Sequence, residues 1–447
     1  MDTIKQSFQK VVEVARKEGA QVELLISGGE NLKLGYQKKK LNTFESTQSQ
    51  MAGFRVILGS NQGYAYTENL SEESLLRTYK EALQNAKTVA NDSKTPVSLL
   101  KPQTVTPMNH LFKPEEIDIE KKMAVARMLE EKCLEKDPRV QSVPYSGFSE
   151  GISFKRILNS EGMDQEFKQN YFSGYAMPLA KEGESSKMDG EGFFARSFAD
   201  IDAEKVVDEG VKRAVSRLNA TKLKTGNYAV VIDRDQFPVV LSMIESYFSA
   251  KELDKKKSLF EGKIGQKIAG EKFELIDDPF EMKGSSARPF DSEGAPSQKI
   301  TLIEKGVFKN FLTNLEYANK LNLPHTAHAS RSPVSTMDIS STNLVVKTGD
   351  VSLEQMLKKY DKVVHLTKFT GGLHAGYKET TGDISMPGEG FLYENGKNMG
   401  AVDQFVVSGN VLDLLKDIEE VSNQTNDPGS SVICPDVLVK SMSFAGA

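Results

Sequence analysis

Five histidines and two cysteines are all the imidazole and thiol chemistry in this 447-residue chain, so a metal or acid–base site has few positions to be built on. His325 and His328 form the pair HTAH directly after Leu323–Pro324. Two imidazoles three residues apart could share a metal on a turn or helix if a third ligand came from elsewhere, but most such pairs bind nothing, and no metal ligand is assigned on spacing alone. The run RPFDSEGAPSQ (288–298) sets Asp291 and Glu293 beside Gly294, ahead of a proline and a strand-like stretch. It is either a polar turn in which Asp291 caps backbone N–H groups or a loop that lines a cleft. Asp291, Glu293, His325 and His328 are the candidate substrate-cleft residues.

Residues 243–250, MIESYFSA, place a single acid, Glu245, in an apolar helical turn. A buried unpaired charge is costly, so Glu245 either reaches water with its tip or serves as the base of a metal-hydrolase site. His365, in the alternating run KVVHLTKF, reads as a strand residue with a hydrogen-bonded ring. His374, in GGLHAG, reads as a polar surface or substrate-lining residue, and His110 as exposed in a linker. No P-loop, no G-x-G-x-x-G after a strand, no G-x-S-x-G, no CxxC pair and no HExxH occurs.

The formal charge of −5 gives no global attraction to nucleic acid or to an anionic membrane. The basic runs Lys38–Lys39–Lys40 and Lys255–Lys256–Lys257 sit beside polar or acidic residues and read as solvated faces. Cys133 and Cys434 lie far apart, which is no disulfide framework and suits a reducing compartment. The N-terminal segment lacks an apolar signal core, and no run approaches the roughly 18 apolar residues of a membrane span. A cytoplasmic protein without direct nucleic-acid or membrane contacts is expected.

The elements that must position these residues follow from periodicity. Ile4, Phe8, Val11, Val12 and Ala15 recur at helical spacing up to Gly19. Strand-like runs at 21–27, 31–37, 51–59 and 63–69 are joined by turn signals at Gly28–Gly29 and Asn61–Gln62–Gly63. A helix over 71–90 with Ser71 as N-cap comes next, then a proline-bearing, linker-like segment (92–113). The spacing then predicts a helix over 114–137 carrying Cys133, long antiparallel strands from 140 to 198 and a helix over 203–220. The passage TKLKTGN (221–227) divides the chain. Beyond it, YAVVID (228–233) leads into the helix that carries MIESYFSA. Hairpins turn at Glu304–Lys305–Gly306 and Asn395–Gly396, with helices over 351–360 and 411–421. The expected fold class is α+β in two domains: a sandwich-like N-terminal domain (1–222) and a C-terminal domain (223–447) dominated by antiparallel sheet with flanking helices.

FDSEGAPSQKITLIEKGVFKNFLTNLEYANKL (290–321), preceded by FEGKIGQKIAG (260–270), resembles the TldD/PmbA family, long called modulators of DNA gyrase. The resemblance continues through HTAHAS (325–330), ENGK (394–397) and VLVKSMSFAGA (437–447) and runs over nearly the whole chain. It implies a metalloprotease in which TldD-like and TldE-like subunits pair to thread unfolded peptides into a closed cavity. The TldD-like subunit carries HExxxH on the helix after the first strand of its C-terminal domain, plus a cysteine near the C-terminus. Positions five apart on an ideal helix face about 140° away from each other, so both histidines can meet one ion only where the helix is widened or broken. On this chain the motif histidines fall on Ile244 and Ser249 and the glutamate on Glu245. The tract 423–432, where the cysteine is expected, has none, and Cys434 beyond it reads as a buried thiol. The resemblance therefore implies a TldE/PmbA-like subunit without its own zinc, with the metal in a TldD-like partner and Glu245 as a remnant. Two alternatives stay open: a self-sufficient homodimeric metallopeptidase with a non-standard site using His325 or His328, and a regulatory or binding protein linked to DNA gyrase.

Overall fold

Helix α1 (Thr3–Lys17) buries Phe8, Val11, Val12 and Ala15, and Gly19, at φ 69°, turns the chain into the first strand. That strand, β1 (Gln21–Gln37), is one continuous 17-residue element. The turn expected at Gly28–Gly29 does not form, because both edges of β1 are hydrogen-bonded through this point, to β2 (Lys40–Leu58) on one side and β4 (Val140–Asn159) on the other. The glycines serve close approach instead: a Cβ on Gly29 would meet the Ile152 carbonyl oxygen at 2.1 Å. The structure, a computed structural model, describes residues 3–88, 97–372 and 376–446. Part of the linker-like segment and His374 lie outside the described residues.

The N-terminal sheet is antiparallel. It is completed by β3 (Asn61–Thr67), β5 (Asp164–Glu182), β6 (Ser185–Met188) and β7 (Glu191–Ala195), in the order β3-β2-β1-β4-β5-β6 with β7 also on β5. Ser71 caps α2 (Glu72–Thr88), accepting from the Ser74 amide. Helix α1 and α2 bury Val22, Leu24, Ile26, Phe54 and Val56, on one end of one sheet face. At the other end α3 (Ile119–Lys136), capped by Asp118, and α4 (Ala203–Ser216), capped by Asp202, enclose Cys133, Val140, Val206 and Val211.

In the C-terminal half, β8 (Thr221–Lys222) and β9 (Gly226–Ile232) join an eight-stranded sheet. Most of its pairings are antiparallel, but β9 runs parallel to Lys362–Phe369, and β8 parallel to Lys397–Asn410. A five-stranded sheet packs nearby through the shared core of Phe260, Phe273, Phe308, Val364 and Phe405. Both hairpin turns form where expected, with Lys305–Gly306 and Asn395–Gly396 at positive φ. The helix expected over 411–421 stops at Lys416, and Ile418–Thr425 is a strand paired with Pro435–Ala445. Val421 is drawn into the core by that pairing, which outweighs the local helical pattern.

The C-terminal half lies directly on the N-terminal sheet. A Cβ on Gly53 would meet the Pro333 carbonyl oxygen at 2.1 Å and the Pro333 Cα at 2.5 Å. Gly53→Ala is expected to lower stability by about 1–3 kcal/mol, since neither backbone can yield locally. A urea midpoint equal to wild type would contradict this contact.

Candidate functional site

Helix α5 (Phe237–Ile244) starts after β9 and Asp233 and is almost wholly apolar. It tightens into a 3₁₀ turn over Glu245–Phe248, opens to extended backbone at Ser249 (ψ 124°) and resumes as α6 (Ala250–Asp254). The break is held by pairing: the Leu312 amide donates to Phe248 O at 2.8 Å, and the Ala250 amide to Leu312 O at 3.0 Å. Ile244 is fully enclosed in the main core and has no lone pair to offer a metal. Ser249 is buried at the backbone bridge to Leu312. Glu245 is part-buried, and its Oε1 accepts from Ser341 Oγ at 2.5 Å. The helix is thus interrupted where a two-histidine site would require it, while its side chains are an aliphatic, a hydroxyl-bonded acid and a serine.

Asp291, Glu293 and His325 come together, with potential ligand atoms all within 4.8 Å of one another. Asp291 Oδ1 accepts from the Glu293 and Ala295 amides, each at 2.9 Å, and Oδ2 from the Ala329 amide at 2.9 Å, so this carboxylate closes the turn. Gly294, at φ 81°, is the residue that lets the turn close. Glu293 Oε1 accepts from Arg55 Nη1 at 3.1 Å, and Oε2 from the Leu315 amide at 2.9 Å. Burial pushes the Glu293 carboxyl up to about 7; Arg55 pulls it back and Asp291 adds to the rise. His325 Nε2 is buried without a hydrogen-bond partner. Burial holds His325 below the usual histidine range, with His328 adding to this and Asp291 opposing it.

His328 is placed apart from this trio. Its Nε2 lies 2.8 Å from Asp277 Oδ1 and its Nδ1 3.0 Å from Thr326 Oγ1, in a fully buried position. A second trio comprises Asp233 just after β9, His365 within the strand Lys362–Phe369 and Asp436 at the start of Pro435–Ala445. There His365 Nε2 meets Asp233 Oδ2 at 3.1 Å, and Asp436 is held by Arg234 and Ser422. Cys434 donates to Arg234 O at 3.2 Å, and burial keeps its thiol far from ionising. Among the described residues these two trios are the groups with metal-ligand spacing, and Glu245 belongs to neither.

Glu293 opens onto a network that motif reading did not find. Glu23 on β1 faces Arg55 on β2, and both are enclosed. Arg331 Nη2 reaches Glu23 Oε1 at 2.8 Å, and Arg55 Nη1 lies 4.0 Å from Glu23 Oε2. Two strand charges from the N-terminal sheet and two loop charges from the C-terminal half thus lock the halves together. The signal in the sequence was a lone charge inside each of two apolar strand runs, QVELLIS and MAGFRVILG.

Along the same face of β1, alternate residues form rows across the sheet. Behind Glu23 and Arg55 come Leu25, Gly53 and Ile157. Beyond them lie Ser27, Lys155 and Phe167, then Gly29, Ser49, Ser153 and Gln169, then Asn31, Thr47, Gly151 and Tyr171. These last three rows floor a cavity of ≈ 590 Å³, roofed by residues 285–288. Phe290 packs on Leu25, Ile157 and Met163 and edge-on to Phe167, which closes the cavity at the Leu25 end.

Comparison with known proteins places this fold. The models for PmbA/TldA metallopeptidase domain 1, central domain and C-terminal domain match residues 22–86, 112–218 and 225–446. The chain belongs to the PmbA/TldD metallopeptidase family. It is 25% identical over 448 residues to the metalloprotease PmbA homolog of Haemophilus influenzae, covering 99% of this chain and 96% of that protein. It is 24% identical to the metalloprotease PmbA of Escherichia coli O157:H7 over 445 residues, 99% of this chain and 96% of that one. Its fold matches the crystal structure of a Thermotoga maritima protein described as a modulator of a DNA gyrase, with TM-score 0.90, 26% identity, and coverage of 99% of this chain and 100% of the other. TldE from Thermococcus kodakarensis shares the fold at TM-score 0.88 and 22% identity, over 98% of this chain and 100% of that one.

Proposed function

We propose that this chain is the TldE/PmbA-like subunit of a cytoplasmic TldD/TldE-type metallopeptidase complex. It would complete the peptide cavity while a TldD-like partner holds the zinc. The observation that carries this reading is the interrupted α5–α6 helix. Its break is present, but Ile244 is sealed in the core, Ser249 is committed to a backbone bridge, and Glu245 is bonded to Ser341. Those residues do not fit a zinc ion, which needs three protein ligands and an open position for catalysis. Away from Lys155 at one end, the floor of the ≈ 590 Å³ cavity suits extended peptide, because its serine, threonine and amide groups can meet main-chain groups without selecting a sequence.

A second reading, a self-sufficient homodimeric hydrolase, is favoured by one observation: the Asp291–Glu293–His325 trio with its unpartnered imidazole nitrogen. Elemental analysis separates the two readings. The purified chain is expected to carry no stoichiometric zinc and to leave an unfolded peptide intact. Mixing with a TldD-like subunit is expected to give about one zinc per pair and cleavage. Tightly held zinc in the chain alone, lost in His325→Ala, would establish the second reading instead.

A further inference from the structure

The closed end of the cavity is lined by two cations, Lys155 and Arg288, that make no ion pair among the described residues. Lys155 lies in the Ser27 row, and the only hydrogen-bond partner of its ammonium among the described residues is Ser292 Oγ at 3.4 Å. Arg288 comes from the roof, and its Nε and Nη2 are buried without a partner. Neither makes an ion pair with a carboxylate among the described residues, whereas Arg55 and Arg331 nearby are both paired. Burial brings the Lys155 ammonium down to about 8, with Arg288 and Arg331 adding to the fall and Asp291 opposing it. Burial likewise lowers Arg288 from the usual arginine range. Two desolvated, unpaired cations facing one cavity are costly unless an anion joins them.

We propose that Lys155 and Arg288 form a seat for the C-terminal carboxylate of an extended peptide lying in this cavity. The reading rests on the peptide-binding role proposed above and adds the end of the peptide that is recognised. The Arg288 guanidinium brings positive charge and an N–H donor to a carboxylate from one wall, and the lysine adds a point charge from the other. Position selects a chain terminus over an acidic side chain. Phe290 and the Leu25–Ile157 row block continuation past the cations, so a peptide running along the floor must end there. From Ser27 to Asn31 the floor spans roughly 13 Å, room for about four extended residues. Its other rows present Ser49, Ser153, Gln169 and Thr47, and the carboxylate in its lining, Glu30, lies away from the cations and accepts from Gln48.

The test is calorimetric binding to the full-length chain of one N-acetylated hexapeptide of serine, alanine and glycine, as the free acid and as the C-terminal amide. The acid is expected to bind at least tenfold more tightly, with Arg288→Met and Lys155→Met each removing most of that difference. Equal affinity of acid and amide for the wild-type chain overturns the carboxylate seat and leaves peptide binding intact, and this comparison needs no variant. Binding of neither peptide overturns both the seat and the peptide role of this cavity. Inorganic phosphate is the third probe. Phosphate binding that depends on Arg288, without discrimination between acid and amide, overturns the peptide assignment in favour of a free anion. Competition between phosphate and the acid alone supports the seat.

Discussion

Replacing Arg55 by methionine is expected to destabilise the protein by about 3–5 kcal/mol, the range for removing one partner of a buried ion pair. Arg55 is fully enclosed and serves Glu293 at 3.1 Å, Gln62 at 2.9 Å and, at longer range, Glu23. Without it, two buried carboxylates share the single cation of Arg331, which is already engaged with Glu23. Methionine fills a similar volume, so the loss reports charge rather than a cavity. Removing Glu293 as well, in Arg55→Met/Glu293→Met, is expected to recover at least half of the loss, because the stranded carboxylate is then gone. The readout is the urea midpoint of each variant at constant slope. A loss below about 1 kcal/mol for Arg55→Met would mean that water reaches the network and that the lock between the halves is weaker than its geometry.

The second large effect is a pH dependence carried by Glu293. Its carboxyl sits near 7 in the folded protein, above the ordinary glutamate value of 4.5, so between these values the folded state binds more protons than the unfolded one. Stability from this group is therefore full below about 4.5 and is lost as pH rises toward about 7. The total is about 3 kcal/mol at 1.36 kcal/mol per pKa unit. His325 acts in the opposite sense: held below the usual histidine value, it makes the fold lose stability as pH falls through that value. Glu293→Gln removes the first slope and keeps the second. In metal-free buffer the wild-type chain is expected to lose more stability between pH 5 and pH 8 than Glu293→Gln does. Parallel profiles would show that Glu293 stays ionised across the range, held by Arg55 and the Leu315 amide. The same titration predicts that the Arg55→Met loss is smaller at pH 5.5 than at pH 8, since the orphaned carboxyl can then take a proton.

Much of the architecture is legible in the sequence. Helix α1 and α2 announce themselves by apolar periodicity and end signals, and the two hairpins by turn residues whose left-handed backbone the structure retains. These are local effects, decided within a few residues. The family resemblance is likewise legible, because it rests on long matching runs. The elements that depart from expectation are the ones where long-range pairing decides. Gly28–Gly29 carries a turn signal, but strands on both sides make continuation of β1 cheaper than reversal. Ile418–Thr425 carries a helical pattern, but it pairs instead with the edge of Pro435–Ala445.

The site shows the same division. Sequence alone named Asp291, Glu293 and Glu245 as residues of interest for their apolar or turn-forming neighbours, and His325 and His328 for their pairing in HTAH. It could not say that Asp291, Glu293 and His325 meet, nor that His328, three residues from His325, turns away to Asp277. It also gave no sign that Lys155 and Arg288 face one cavity from different halves of the chain. Charge partners are chosen in three dimensions, and an isolated basic residue in a sequence looks the same whether it ends in water, in an ion pair or in a pocket. What the sequence by itself determined is the family and the local backbone wherever no long-range strand pairing overrides it. Which charges are buried, and which of them lack a partner, was decided only by packing one half of the chain onto the other, where desolvation makes every unpaired group costly.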